Sequence, residues 1–142
     1  MRNEAPLYIG SAEEARQAGE LPQWRDSFWA NVACRDKIET EISKSYDGRY
    51  LDLTCVGRVV EEFGQERVQY VLVNTLKEKD YDGRFHPGNK EWGRETNVPA
   101  DENHNYRFMI NSHPGLLDMF VSQFRKEYPQ LEQTMDGQAM QG

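Results

Sequence analysis

The chain has 142 residues, of which 37% are hydrophobic, 29% charged and 11% aromatic, and its net charge is −7. That length supports one domain with a real core, and the aromatic content argues against wholesale disorder. The acidic balance argues against direct nucleic-acid binding through phosphate neutralisation and favours a basic protein partner or a small-molecule site.

In chain order, residues 5–9 read as a short extended piece ended by Gly10. Ser11 and Glu14 have capping-box spacing, so a short helix is expected from there to about Gln17, closed by Gly19. Pro22 opens the longest helix, about 22–45. Its apolar stripe carries Trp24, Phe28, Ile38 and Ile42, and the polar Asn31 and Arg35 fall on the same stripe. A buried Asn or Arg needs partners. Two arrangements satisfy that need: Asn31 bonded to a loop carbonyl with Arg35 snorkelling outward, or both residues lining a pocket beside His113.

Asp47-Gly48 marks a turn. Helices are expected over about 53–63, stopped by Gly64, and over about 65–77. The second contains Val68-Gln69-Tyr70-Val71-Leu72-Val73, a β-branched run that also reads as a strand. The helical spacing of Val68, Val71, Leu72 and Leu76 favours helix, with Asn74 at the flank of that face. Tyr-Asp-Gly-Arg occurs at 46–49 and again at 81–84, followed each time by an aromatic, Tyr50 and Phe85. An Asp-Gly turn next to an aromatic anchor explains both copies.

A long polar connection runs from about 78 to 112, with Asn89 expected to cap a short helix through Trp92 and Arg94. Residues 106–110 read as an extended segment that could pair with 6–9. In Asn111-Ser112-His113-Pro114-Gly115, Ser112 is the expected N-cap and Pro114 the first-turn residue of a helix to about Tyr128. Leu117, Phe120, Val121, Phe124 and Tyr128 form its apolar face. The reading is a mainly α fold of about five to six helices, with α+β left open by the small two-stranded element. Residues 1–128 form one globular domain in this reading, and 129–142 a polar, flexible tail.

Cys34 and Cys55 lack metal-ligand spacing and read as buried free thiols in a reducing compartment, a disulfide between them staying open. The chain shows no metal motif, P-loop, dinucleotide fingerprint or nucleophile elbow, so no metal or cofactor is expected. It also shows no secretion signal and no apolar run of membrane-spanning length, so a cytoplasmic protein is expected. If the protein is an enzyme, the catalytic set is His113 as acid or base, Asp82 as its carboxylate partner and Arg84 as an anion holder. Glu91 and Arg35 are substitutes for the last two roles. The favoured reading is a binding surface drawn from Asn31, Arg35, Asn74, Phe85, Asn89, Glu91, Trp92 and Asn111. Tyr81, Phe85, Trp92 and Tyr106, with Arg84, are the residue types that anchor interfaces.

Several segments together resemble a bacterial domain-of-unknown-function family. They include Ser11-Ala12-Glu13-Glu14-Ala15, Trp24-Arg25-Asp26-Ser27, Val71-Leu72-Val73-Asn74-Thr75, Asp82-Gly83-Arg84-Phe85, Asn89-Lys90-Glu91-Trp92 and Asn111-Ser112-His113-Pro114-Gly115-Leu116. The resemblance spans about 6–125 and implies a setting in phage and conjugative-element proteins, including large "polyvalent" ones. It carries no activity or catalytic residue with it. What it implies is an accessory protein that inhibits a host defence nuclease of the anti-CRISPR or anti-restriction type by binding a basic, nucleic-acid-handling effector. The alternative is a small enzyme acting on nucleic acid or a nucleotide through His113.

Overall fold

One helix, Gln65–Glu78, packs against three others in the computed structural model, which describes residues 5–96 and 109–129. Six helices occur among the described residues: α1 (Ala12–Gln17), α2 (Leu21–Ser45), α3 (Cys55–Phe63), α4 (Gln65–Glu78), α5 (Pro87–Glu95) and α6 (Pro114–Glu127). The fold is mainly α.

Helix α4 packs against α2, α3 and α5, and every residue from Arg67 to Val73 is buried. A helix enclosed on all sides needs apolar residues all round, which is why its sequence also reads as a strand. The chain enters α4 through Gly64, whose φ of +89° is open to glycine at little cost. Gly64 ends α3 by donating its N–H to Val60 and starts α4 by accepting from the amide of Val68. The α4–α5 contact is also set by a glycine. A Cβ on Gly93 would lie 2.9 Å from the Cβ of Leu76.

Helix α1 carries the complete capping box, with Ser11 Oγ accepting from Glu14 N and Glu14 Oε1 from Ser11 N. Helix α6 lays Leu117, Phe120, Val121 and Phe124 into the core and meets α2, α3 and α5. Cys34 and Cys55 are buried and free, and burial pushes the Cys34 thiol up to about 12. No helix among the described residues is long and apolar enough to cross a membrane.

The structure corrects several local expectations. Met109 and Ile110 form no strand with residues 6–9; the Ile110 amide donates to Thr75 Oγ1 of α4 and the Tyr8 amide to Ser27 Oγ of α2. Thr75 can accept because its own hydroxyl donates back to Val71 O, leaving a lone pair for the incoming chain. Among the described residues the β pairing is a single bridge, Tyr46 with Leu51. Tyr106, Arg107, Phe108 and the tail after Pro129 lie outside the described residues.

Candidate functional site

Helices α5 and α6 begin in the same way, and neither uses the cap expected for it. His113, not Ser112, caps α6, its Nδ1 accepting the Gly115 amide at 3.0 Å. His86, not Asn89, caps α5, its Nδ1 accepting the Gly88 amide at 3.0 Å. Both sites read His-Pro-Gly, at 86–88 and 113–115. Imidazole Nδ1 is attached to Cγ, as is the Oδ1 of Asn or Asp, so it reaches the same amide as those residues do at an N-cap. Proline fixes the first helical φ and has no N–H to lose. With Nδ1 an acceptor, the ring proton sits on Nε2.

Asn89, freed from capping, is buried in a polar cluster between α5 and α6. Its Nδ2 donates to Asp118 Oδ1 at 2.8 Å and Ser122 Oγ at 2.9 Å, and its Oδ1 accepts from Arg125 Nη1 at 2.9 Å. The Arg125 guanidinium also lies over the Trp92 ring, 5.8 Å from its centroid. Trp92 and Phe85 are core residues, and Glu91 is exposed.

Asn31 and Arg35 part company. Asn31 is buried, and its Oδ1 accepts from Arg67 Nε at 2.8 Å. Arg67 gives its other bonds to Ser27 Oγ and to the carbonyl of Ala5, and burial lowers its pKa. Arg67 is the partner that Asn31 demanded, and its place one residue ahead of the Val68 stripe gave no sign of it. Arg35 donates to Met109 O at 3.3 Å and to its neighbour Asp36 at 2.7 Å. Asn74 donates to Tyr70 O within α4.

Both Tyr-Asp-Gly-Arg segments form Asx turns, but they treat the following aromatic in opposite ways. Asp82 takes the Arg84 amide and guanidinium at 2.9–3.0 Å, and these bonds hold its carboxyl at about 2. Phe85 then turns into the core, while Tyr81 is 82% exposed. Asp47 accepts the amides of Arg49 and Tyr50, each at 2.8 Å, and Tyr50 faces water with 69% of its surface exposed. The Arg49 guanidinium lies over the Tyr50 ring, 5.7 Å from its centroid.

The first of these turns begins at the wall of a groove. Glu39, Ile42, Ser43 and Tyr46 from the end of α2 face Asn111, Ser112, His113 and Leu116 across a space of about 350 Å³. The Glu39 carboxylate accepts the Asn111 amide at 2.6 Å and holds the two walls together. Of the sequence candidates, Asn111 and His113 line this groove, and Arg35 lies beside it, its Nε 3.9 Å from Glu39. Asn31, Asn74, Asp82, Arg84, Phe85, Asn89, Glu91 and Trp92 do not line it. Glu39, Ile42 and Tyr46 were missed, although they continue the row from Arg35 at helical spacing.

A family model for proteins of unknown function, DUF3849, matches residues 7–129. The chain belongs to the DUF3849 family. No curated protein and no solved structure matches it. The DUF3849 match covers the whole groove, both Asx turns and both His-Pro-Gly caps.

Proposed function

We propose that this DUF3849 protein is a protein-binding inhibitor from a mobile genetic element, directed at a host defence nuclease of the CRISPR or restriction type. The observation that carries this reading is the turn at Asp47–Tyr50. Two backbone bonds to Asp47 and the bridge between Tyr46 and Leu51 fix a Tyr and an Arg in water, with no core to anchor them. Tyr and Arg are the residue types that dominate binding energy in protein interfaces. A turn ordered in advance loses little entropy on docking. The net charge of −7 suits a basic nucleic-acid channel as the opposing surface. The likeness of its motifs to those of phage and conjugative-element proteins supports the mobile-element setting.

The catalytic alternative has less support. The Nδ1 of His113 is engaged by its own helix, and Asp82 is engaged by Arg84. The test is a phage-plating assay in bacteria carrying an active CRISPR or restriction nuclease. Expression of the protein should restore plating by at least about tenfold, and Tyr50→Ala should remove most of that gain. Equal plating with and without the protein, across both nuclease classes, contradicts the proposal.

A further inference from the structure

The groove between α2 and the start of α6 has a chemistry that specifies its occupant. Ile42, Leu116 and the Tyr46 ring supply apolar walls, and Ser43, Ser112 and Asn111 supply polar lips. The formal charge within it is the Glu39 carboxylate. That carboxylate spends one acceptor site on the Asn111 amide, and an ionised carboxylate has roughly four. The cation paired with Glu39 among the described residues is Arg35, at 3.9 Å, and its Nε is committed to Asp36 at 2.7 Å. His113 adds no acceptor from Nδ1, which already receives the Gly115 amide.

We propose that this groove receives the side chain of a lysine or arginine presented by a basic segment of a partner protein. Such a side chain has an aliphatic stem for the Ile42–Leu116–Tyr46 walls and a cationic head for Glu39. An anionic ligand would meet the carboxylate, and a purely apolar one would strip water from it without compensation. The volume of about 350 Å³ holds one long side chain with a residue or so of its backbone. The turn carrying Arg49 and Tyr50 starts at the groove wall and extends the contact beyond it. The inference rests on the protein-docking reading above and adds the chemistry of what docks.

The experiment is an amide NMR titration of the full chain with a capped Gly-Ser-Arg-Leu-Ser-Gly peptide. Controls are the same peptide with norleucine for arginine, free argininamide, and spermidine. The expected result is saturable shifts at Ile42, Ser43, Asn111, Ser112 and Leu116, absent with norleucine and weaker with both small amines. Glu39→Gln keeps an acceptor for the Asn111 amide and should weaken peptide binding at least tenfold. Ser43→Arg, at an exposed helical position on the lip, should fill the groove with its own cation and weaken binding similarly, so the test survives if Glu39→Gln misfolds. Equal binding of the norleucine peptide, tighter binding of spermidine or argininamide, or no saturable shifts at all overturns the proposal. Binding that ignores both groove substitutions but is lost in Tyr50→Ala also overturns it, while leaving the docking reading in place.

Discussion

The Glu39 carboxylate accepts the Asn111 amide at 2.6 Å, so a side chain on α2 holds the backbone that leads into α6. Glu39→Ala should free that segment, costing about 1 kcal/mol, since the bond is charge-assisted but half-exposed. Glu39→Gln should cost less. Urea unfolding of both variants checks the order, and faster amide exchange at Asn111 in Glu39→Ala checks the cause.

The two imidazole caps give a second prediction. His113→Ala and His86→Ala should each cost about 1 kcal/mol, whereas Ser112→Ala should be close to neutral. His113→Asn should restore most of the loss, because its Oδ1 occupies the place of Nδ1. Denaturation of the variants, and faster amide exchange at Gly88 in His86→Ala and at Gly115 in His113→Ala, report these effects.

Much of the architecture was legible because α1, α3, α4 and α6 advertise themselves through capping-box spacing, apolar periodicity and Gly64. The caps of α5 and α6 were not, because histidine is a less familiar cap than the Ser112 and Asn89 close to it. The repeated His-Pro-Gly is the signal that would have found them. The site was less legible still. Local spacing shows that Asn31, Arg35 and Glu39 share a face of α2, but Arg67 and Asn111 arrive from 36 and 72 residues away. The fates of Tyr50 and Phe85 depend on what the fold places beneath each turn, and identical Tyr-Asp-Gly-Arg sequences carry no such information.

Acid should destabilise the fold through Glu41. This carboxyl is 3% exposed, and burial pushes its pKa up, but bonds from Arg58 at 2.8 Å and Lys37 at 3.3 Å outweigh that and leave it below 4.5. A depressed folded-state value means the stabilisation is complete above the unfolded value and is lost as pH falls through the folded one. Asp82, held at about 2, acts in the same direction over a range reaching further into acid. Thermal unfolding should therefore shift downward as pH drops below about 4.5, and Glu41→Gln should flatten the upper part of that dependence.

Gly93 sets the separation of α4 and α5. Gly93→Ala would place a methyl 2.9 Å from the Leu76 Cβ, which cannot rotate away, and should cost about 1–3 kcal/mol despite the gain in helix propensity. Leu76→Ala in the same chain leaves that Cβ in place and should not rescue it, whereas Leu76→Gly should relieve the contact. Chemical denaturation of the three variants separates these outcomes.

Arg67 and Asn31 form a buried pair without a carboxylate, so each depends on the other. Asn31→Leu should cost about 3 kcal/mol by removing an acceptor from a buried cation, and Arg67→Met in the same chain should recover a large part of it. A double-mutant cycle in urea measures that coupling, and additive losses would contradict it.

Stoichiometry tests the central claim most directly. A purified CRISPR nuclease with its guide, sensitive to the protein in the plating assay, is titrated at a concentration well above the dissociation constant, and residual DNA cleavage is plotted against the molar ratio. The docking account predicts a linear loss that breaks near one protein per nuclease, does not deepen with incubation time, and moves to far higher ratios with Tyr50→Ala. Inhibition that deepens with time at substoichiometric protein would mean turnover and would contradict it.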